Sequence, residues 1–166
     1  MTRNAIVDAL GVLKAGRIVD LTHLVHPGIQ RFGPFPAMRT EPRYTVAESG
    51  FHVEQVSFVT QYGTHVDAPE HFVEGRRTLE RIELEERGVT AVGHETLDTD
   101  GSADVRARGF FDCEKYVLES DHYQVEVMAN LDKLPSTGGV IFVDLPKFDK
   151  FPGFPACAWA VVPNED

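Results

Sequence analysis

A mixed α/β or α+β domain is what this chain predicts, and three observations carry that expectation. Short apolar runs containing β-branched residues recur at 18–21, 89–92, 140–143 and 158–162. Between them lie stretches with apolar residues at helical spacing, at 5–14, 78–86 and 110–119. At 166 residues, 42% hydrophobic and 25% charged, the chain has the size and composition of one globular unit, read as a single domain over 1–166.

Taken in order, residues 5–14 place Ile6, Leu10 and Leu13 on one helical face, and Gly16 supplies a stop. A short strand follows at 18–21. Residues 27–43 are rich in Pro and Gly, include Phe32 and Phe35, and read as a long loop of the kind that often serves function. Residues 52–60 alternate imperfectly and read as the strand that delivers the central motif. A helix is expected over 78–86, with Leu79, Ile82 and Leu84 partly buried. A strand is expected at 89–92, helices over 110–119 and parts of 123–131, and strands at 140–143 and 158–162.

Charge and composition exclude several function classes. A formal charge of -10 argues against nucleic-acid binding, which needs basic patches to meet phosphate. The longest apolar runs, such as 156–162, fall far short of the roughly 20 residues that a membrane-spanning helix needs. Arg3, Asp8 and Lys14 interrupt the N-terminal stretch, so it does not read as a secretory leader. Cys113 and Cys157 are too few for a disulfide framework, which points to a reduced cytoplasmic protein. Cys113 itself reads as a small buried hydrophobe.

Chemistry concentrates in Gln61-Tyr62-Gly63-Thr64-His65-Val66-Asp67-Ala68-Pro69-Glu70-His71-Phe72. On an extended backbone His65 and Asp67 project from one face, because side chains alternate with period two. Gly63 frees the backbone just before them, and Pro69 ends the strand because it cannot donate to a ladder. The turn that follows can bring His71 back to the same point. Two nitrogen donors and one oxygen donor suit a borderline divalent metal such as zinc, manganese or iron. The plain alternative, a solvated loop, fits poorly beside Val53, Val56, Phe58 and Val59. Such an ion lowers the pKa of bound water to about 7, and the hydroxide formed can attack an amide or lactam carbonyl that the ion polarises. By residue type, His71 is suited to the accompanying proton transfer.

The nine residues from Gly63 to His71 resemble the signature of the metal-dependent cyclase family (bacterial kynurenine formamidase and isatin hydrolase type). Ile18-Val19-Asp20-Leu21-Thr22-His23 with Pro27-Gly28 is similar to that family's opening strand and loop. Residues 88–96, 123–135 and 153–156 resemble its later segments in the right order. The resemblance implies a swivelling β/β/α domain. It implies a first metal held by Gln61, His65 and Asp67, with Asp67 bridging to a second ion that Glu114 and Glu126 also hold. It implies His71 as proton donor and acceptor, and substrate contacts from the loop that carries Phe32 and Phe35.

Three departures stand out. Gln61 and Glu114 occupy positions where the family usually has His. Leu84-Glu85-Glu86-Arg87 runs straight into Gly88-Val89, where the family normally interposes a segment with a core strand, so a core segment is expected to be missing. An amide oxygen at 61 shifts preference from zinc, the alternative, toward manganese. Glu126 has support only from its context, and Glu114 reads equally well as an ordinary surface glutamate. His23, His26, His52, His94 and His122 read as structural.

The leading expectation is a hydrolase that opens a C–N bond in a small amide, formamide or cyclic imide or lactam through metal-activated water. A shortened, catalytically weak relative that binds metal or ligand is the alternative, and steady-state turnover separates the two. A non-haem iron oxygenase is a third class, which would need dioxygen and ferrous iron. Expected partners are a small-molecule substrate and further copies of the chain, as a homodimer or higher homo-oligomer. Neither nucleic acid nor membrane is expected.

Overall fold

The computed structural model describes residues 3–82 and 91–164. Helix α1 (Arg3–Ala15) leads directly into strand β1 (Arg17–Asp20), as the helical spacing and Gly16 predict. β1 pairs antiparallel with the final strand β9 (Cys157–Val162), which also pairs with β7 (Val140–Asp144), giving a three-stranded sheet of order β1-β9-β7. A second sheet has the order β5-β6-β4-β8, formed by β5 (Ala91–Gly93), β6 (Tyr123–Glu126), β4 (His65–Asp67) and β8 (Gly153–Pro155). β5 runs parallel to β6 and the other pairs are antiparallel. The chain changes sheets at Ala156, between β8 and β9.

The two sheets pack through one apolar cluster, in which Val19, Leu21, Ala158, Ala160 and Val162 meet Val125 and Met128. A second cluster lies under the same face of the four-stranded sheet, where Val66 and Ala68 pack with Leu79, Ile82 and Ala156. Val66 and Val125 pair across the β4–β6 ladder, so one face of that ladder is apolar. Its opposite face carries His65, Asp67, Gln124 and Glu126, all buried. Helix α4 (Asp112–Glu119) lies over this side and turns Glu114 and Leu118, one helical turn apart, inward.

Several expectations change here. Residues 123–126 form a strand rather than a helix, because alternation, not helical spacing, separates Gln124 and Glu126 from Val125 and Val127. Here the polar residues of that period face the buried site and not solvent. In the described part of 78–86 the chain makes only a 3₁₀ turn, Leu79–Arg81, which buries Leu79 and Ile82 at the i,i+3 spacing of that helix. The remainder, with Leu84 and the junction at Gly88, lies outside the described residues. The expected strand at 52–60 is β3 (Val53–Ser57), but the motif rides on the separate strand β4. β3 pairs with β2 (Arg39–Tyr44), which forms from the end of the expected loop. Helices α2 (Val46–Ser49) and α3 (Ser102–Arg108) carry no strong periodic signal. Cys113 is exposed, not buried, because α4 turns Glu114 inward instead.

The β2–β3 hairpin pairs with no other strand among the described residues, and every residue of both strands is exposed. The chain as a whole exposes 11017 Å². A folded monomer of its mass, 18.5 kDa, is expected to expose about 8,200 Å².

Candidate metal centre

Residues 61–69 are all buried, which removes the solvated-loop alternative for the motif. Gly63 takes φ +64, and a Cβ there would meet Ile29 at 2.6 Å, so only glycine makes this turn at low cost. β4 then sets His65 opposite Glu126 and Asp67 opposite Gln124. His65 Nδ1 lies 2.8 Å from the Gly63 carbonyl and donates to it. Nε2 is left facing Asp67 Oδ2 at 3.5 Å and Glu126 Oε2 at 3.6 Å. A neutral imidazole in this tautomer directs a lone pair at two carboxylates, an arrangement that a cation or a second ring proton must reconcile.

Glu126 is held on both oxygens. The Gln124 amide donates to Oε1 at 2.9 Å, and the Asp98 backbone N–H donates to Oε2 at 3.1 Å. Gln124 is fixed in turn by the Thr99 hydroxyl at 2.9 Å. The next residue, Val127, has φ 53, a strained value for a β-branched side chain. Its carbonyl accepts from the Thr64 hydroxyl at 2.6 Å and from His23 Nδ1 at 2.9 Å, which holds the bend that ends β6. His23 is thus structural, as expected.

Gln61 differs from the oxygen donor expected at its position. Its amide Nε2 donates to Asp67 Oδ1 at 3.1 Å, while its oxygen accepts from the Thr60 hydroxyl. In this orientation Gln61 steadies Asp67 instead of presenting a lone pair to an ion. The 3₁₀ turn Pro69–His71 brings His71 back, as the Pro69 turn predicts. His71 Nε2 lies 4.0 Å from Asp67 Oδ1 and 3.9 Å from Glu114 Oε1, with a quarter of its side chain exposed. The ordinary surface reading of Glu114 fails, since it is 2% exposed. Asp100 accepts from the backbone N–H groups of Cys113 (3.0 Å) and Glu114 (2.9 Å) and so fixes the first turn of α4 against the preceding loop.

The electrostatics show how crowded the carboxylates are. Burial, reinforced by Glu126, Asp67 and Asp98, pushes the Glu114 carboxyl up to about 9. Burial and Asp67 push Glu126 up to about 7 against the opposing pull of His65. Burial disfavours charged His65, yet Asp67, the Gly63 carbonyl and Glu126 outweigh it and raise the imidazole to about 9. Burial also opposes ionised Asp67, but His65, His71 and the Gln61 amide hold it down at about 2.

These donors fit a divalent cation. Asp67 Oδ2 and Glu114 Oε2 are buried with no hydrogen-bond partner. Three donor groups, His65–Asp67–Glu126, Asp67–His71–Glu114 and Asp98–Glu114–Glu126, each bring one ligand atom per residue to within 4.8 Å of the others. Above the donors opens a cavity of about 250 Å³. Gln61, His65, His71, Asp98, Glu114 and Glu126 line its floor, and Phe32, Phe35, Phe72, Leu97 and Phe111 line its walls. Phe32 and Phe35 meet edge to face, with centroids 5.3 Å apart. Tyr62, wholly buried, ties their loop down by donating to the Pro27 carbonyl (3.1 Å) and accepting from the Met38 N–H (2.9 Å).

Every residue expected at the site therefore lies at this cavity or, for Asp67, against its floor. Sequence reasoning missed Asp98, Phe72, Phe111 and Gly153. A Cβ on Gly153 would lie 2.5 Å from the Val66 carbonyl, 2.6 Å from Gln61 Nε2 and 2.7 Å from Asp67 Oδ1. Its only sequence signal was its place in the closing Gly-Phe-Pro-Ala. Asp98 gave the signal of an acidic residue in a loop beside a strand, which is weak.

Comparison with known proteins agrees with the motif. The Cyclase family model, described as "Putative cyclase", matches residues 19–87. The fold is that of the isatin hydrolases and related metal-dependent hydrolase structures. Isatin hydrolase A from Labrenzia aggregata, bound to benzyl benzoate, superposes with a TM-score of 0.80 at 19% identity, covering 97% of this chain and 99% of that one. An isatin hydrolase bound to the product analogue thioisatinate gives 0.82 at 16% identity, with 99% and 100% covered. A structure described as a predicted metal-dependent hydrolase from Bacillus stearothermophilus gives 0.67 at 13% identity, with 88% and 98% covered. No curated protein sequence matches the chain. The likeness to the cyclase family is thus borne out in the motif region and in the fold.

Two outcomes test this geometry. Gly153→Ala should displace Gln61 and Asp67 and weaken divalent-metal binding at least tenfold in a calorimetric titration, whereas Gly11→Ala in helix α1, where an added Cβ meets nothing within 4 Å, should leave it unchanged. The pH dependence is the second. Glu114 and Glu126 bind protons more tightly folded than unfolded, so their contribution to stability is complete below about 4.5 and fades as pH rises through about 7 and about 9. His65 acts in the same direction between about 6.5 and about 9. Chelator-treated protein should therefore lose on the order of 5 °C in Tm between pH 5 and pH 9, and excess Mn²⁺ should remove most of that loss. A melting temperature that is flat with pH, or unmoved by Mn²⁺, would contradict the site.

Proposed function

We propose that this chain is a metal-dependent hydrolase that opens the C–N bond of a small amide, formamide or cyclic imide or lactam with an aromatic portion. The observation that carries the reading is the convergence of the His65 Nε2 lone pair with orphaned buried oxygens of Asp67 and Glu114 at the foot of an aromatic-walled cavity. The names of the solved hydrolases that share the fold support it. His65, Asp67 and Glu126 would hold the ion, with Glu114 beside them. The oxygen-rich donor set favours manganese over zinc. A divalent ion there supplies Lewis acidity, which acidifies water to a pKa of about 7 and polarises a carbonyl.

The chain's own residues do the rest. Phe32, Phe35, Phe72 and Phe111 grip a flat substrate and exclude bulk water from the floor. Gln61 keeps Asp67 from rotating. His71 Nε2 accepts a proton as water attacks the carbonyl carbon and returns it to the nitrogen as the C–N bond breaks. Its partial exposure lets it reach both the floor and the substrate. Each donor group among the described residues has at most one histidine, so none makes the two-His-one-carboxylate set of an iron oxygenase.

Asp67→Ala should abolish stoichiometric metal, and His71→Ala should lower turnover on an amide and lactam panel by about 10²- to 10⁴-fold with metal content kept. Full metal in the Asp67 variant would refute the site, and parallel loss of metal in the His71 variant would make His71 a ligand.

The reading includes a homodimer or higher homo-oligomer, in which a second copy covers the β2–β3 arm. Tyr44, Val46, Phe51, Val53 and Val56 stand exposed on that arm. The surface in excess of a compact monomer is larger than the ~800 Å² per partner of a standard interface. Light scattering at micromolar concentration should give at least twice the chain mass, and Phe51→Glu with Val53→Glu should shift it toward monomer. A monodisperse parent monomer would refute this.

A further inference from the structure

We propose that the hydroxyls of Thr60 and Thr99, with His94 behind the second, are positioning groups that decide which carboxylate oxygens of Asp67 and Glu126 face the metal position. The inference rests on the reading of this site as a metal centre, and it assigns a role to three residues outside the donor set. Two hydrogen-bond chains of the same design run into the floor of the cavity. In the first, the Thr60 hydroxyl donates to Gln61 Oε1, and Gln61 Nε2 donates to Asp67 Oδ1 at 3.1 Å. In the second, the Thr99 hydroxyl donates to Gln124 Oε1 at 2.9 Å, and Gln124 Nε2 donates to Glu126 Oε1 at 2.9 Å. Each chain takes one oxygen of its carboxylate and leaves the other turned to His65 Nε2, which lies 3.5 Å from Asp67 Oδ2 and 3.6 Å from Glu126 Oε2.

The direction of each chain follows from what its members can donate. A glutamine amide turned end for end would set its oxygen against a carboxylate oxygen, two acceptors with no proton between them. Gln124 is wholly buried and Gln61 nearly so, which leaves no bulk water to relieve that contact. A threonine hydroxyl offers one proton, and here it goes to the amide oxygen. Thr99 Oγ1 must then accept where it meets His94 Nε2, 3.1 Å away, which makes that nitrogen an N–H donor in a neutral or a charged ring. His94 Nε2 lies 3.8 Å from Glu126 Oε1, too far for a direct hydrogen bond. Its hold on the carboxylate therefore passes through Thr99 and Gln124.

The backbone fixes where each chain begins. Gln124 and Glu126 share one face of β6, two residues apart, so the amide reaches the carboxylate along its own strand. His94 directly follows β5, where its N–H donates to the Val125 carbonyl and its carbonyl accepts from Met128. The Thr96 carbonyl accepts from Val127, which lays the loop that carries Thr99 along the end of β6. Thr60 and Gln61 are neighbours on the approach to β4, and Gly153 closes over the Gln61 amide, where a Cβ would lie 2.6 Å from Nε2. Both carboxylates are thus held by neutral donors, which leave their negative charge for a cation. Losing an outer partner of this kind typically costs about 10- to 100-fold in metal affinity.

The test is calorimetric titration of chelator-stripped full-length protein with MnCl₂, together with two-bond ¹H–¹⁵N correlation spectra of the histidine rings. Thr60→Val and Thr99→Val keep the side-chain shape and remove the hydroxyl, whereas Thr60→Ser and Thr99→Ser keep the hydroxyl. Each valine variant should bind Mn²⁺ about 10- to 100-fold more weakly than the parent, and each serine variant should match the parent, with circular dichroism unchanged throughout. Where a valine variant departs from the parent in circular dichroism, alanine at the same position makes the comparison. In the parent, the His94 ring, assigned by its absence from His94→Gln, should carry a proton on Nε2, and Thr99→Val should shift that proton's resonance. Valine variants that bind Mn²⁺ as tightly as the parent would refute the role of the hydroxyls and leave the metal centre standing. Equal weakening in the serine variants would refute it too, since the loss would then be one of packing. A His94 ring protonated at Nδ1 alone would refute the second chain. A parent that binds no Mn²⁺ would overturn the metal-centre reading and this role with it.

Discussion

The burial of three carboxylates, Asp67, Glu114 and Glu126, within a few ångströms of one another is the constraint on which the rest of this structure depends. Removing an ionised carboxylate from water costs several kcal/mol even after relaxation. Burying a Val or Leu side chain contributes only about 1.5–3 kcal/mol. The apolar clusters beneath the sheet cannot offset three such charges unless something else compensates them. Protons on Glu114 and Glu126 are one compensation, and a divalent cation is another. A cation keeps the carboxylates charged and turns their mutual repulsion into ligation, which is why orphaned oxygens here signify a ligand and not a defect.

The scaffold around them serves that constraint. β4 and β6 work as a two-faced ladder, with Val66 and Val125 turned into the apolar clusters and the titratable residues turned toward α4. Gln61, Gln124 and the Asp98 backbone supply neutral hydrogen bonds that orient carboxylates without neutralising them. Gly153 lets β8 approach closely enough to close the floor. His65, Asp67 and Glu126 ride on strands and Glu114 on the first turn of α4, while the aromatic walls ride on loops and a helix end.

The aromatic walls also explain why the long loop at 27–38 is ordered despite its Pro and Gly content. Tyr62, inside the motif itself, reaches out to that loop, and Ile29 packs over Gly63. One buried segment therefore carries the candidate donors His65 and Asp67 and also fixes the aromatic wall of the cavity. Beyond the wall the chain departs into the β2–β3 arm, whose exposed apolar residues we propose a second copy covers.

The sequence by itself determined the motif, the extended backbone that sets His65 and Asp67 on one face and the turn that returns His71, because period-two alternation, a glycine and a proline are local signals, whereas the expected strand at 52–60 proved separate from β4. The likeness to the cyclase family also indicated which distant residues, Glu114 and Glu126, would join. Tertiary structure decided that 123–126 is a strand, whose alternating Gln124 and Glu126 face the buried site and not solvent. It alone turned the Gln61 amide nitrogen toward Asp67, made Gly153 indispensable and brought Asp98 to the cluster. Those outcomes depend on the approach of segments dozens of residues apart, and no local spacing records the distance at which two strands or a loop and a helix finally meet.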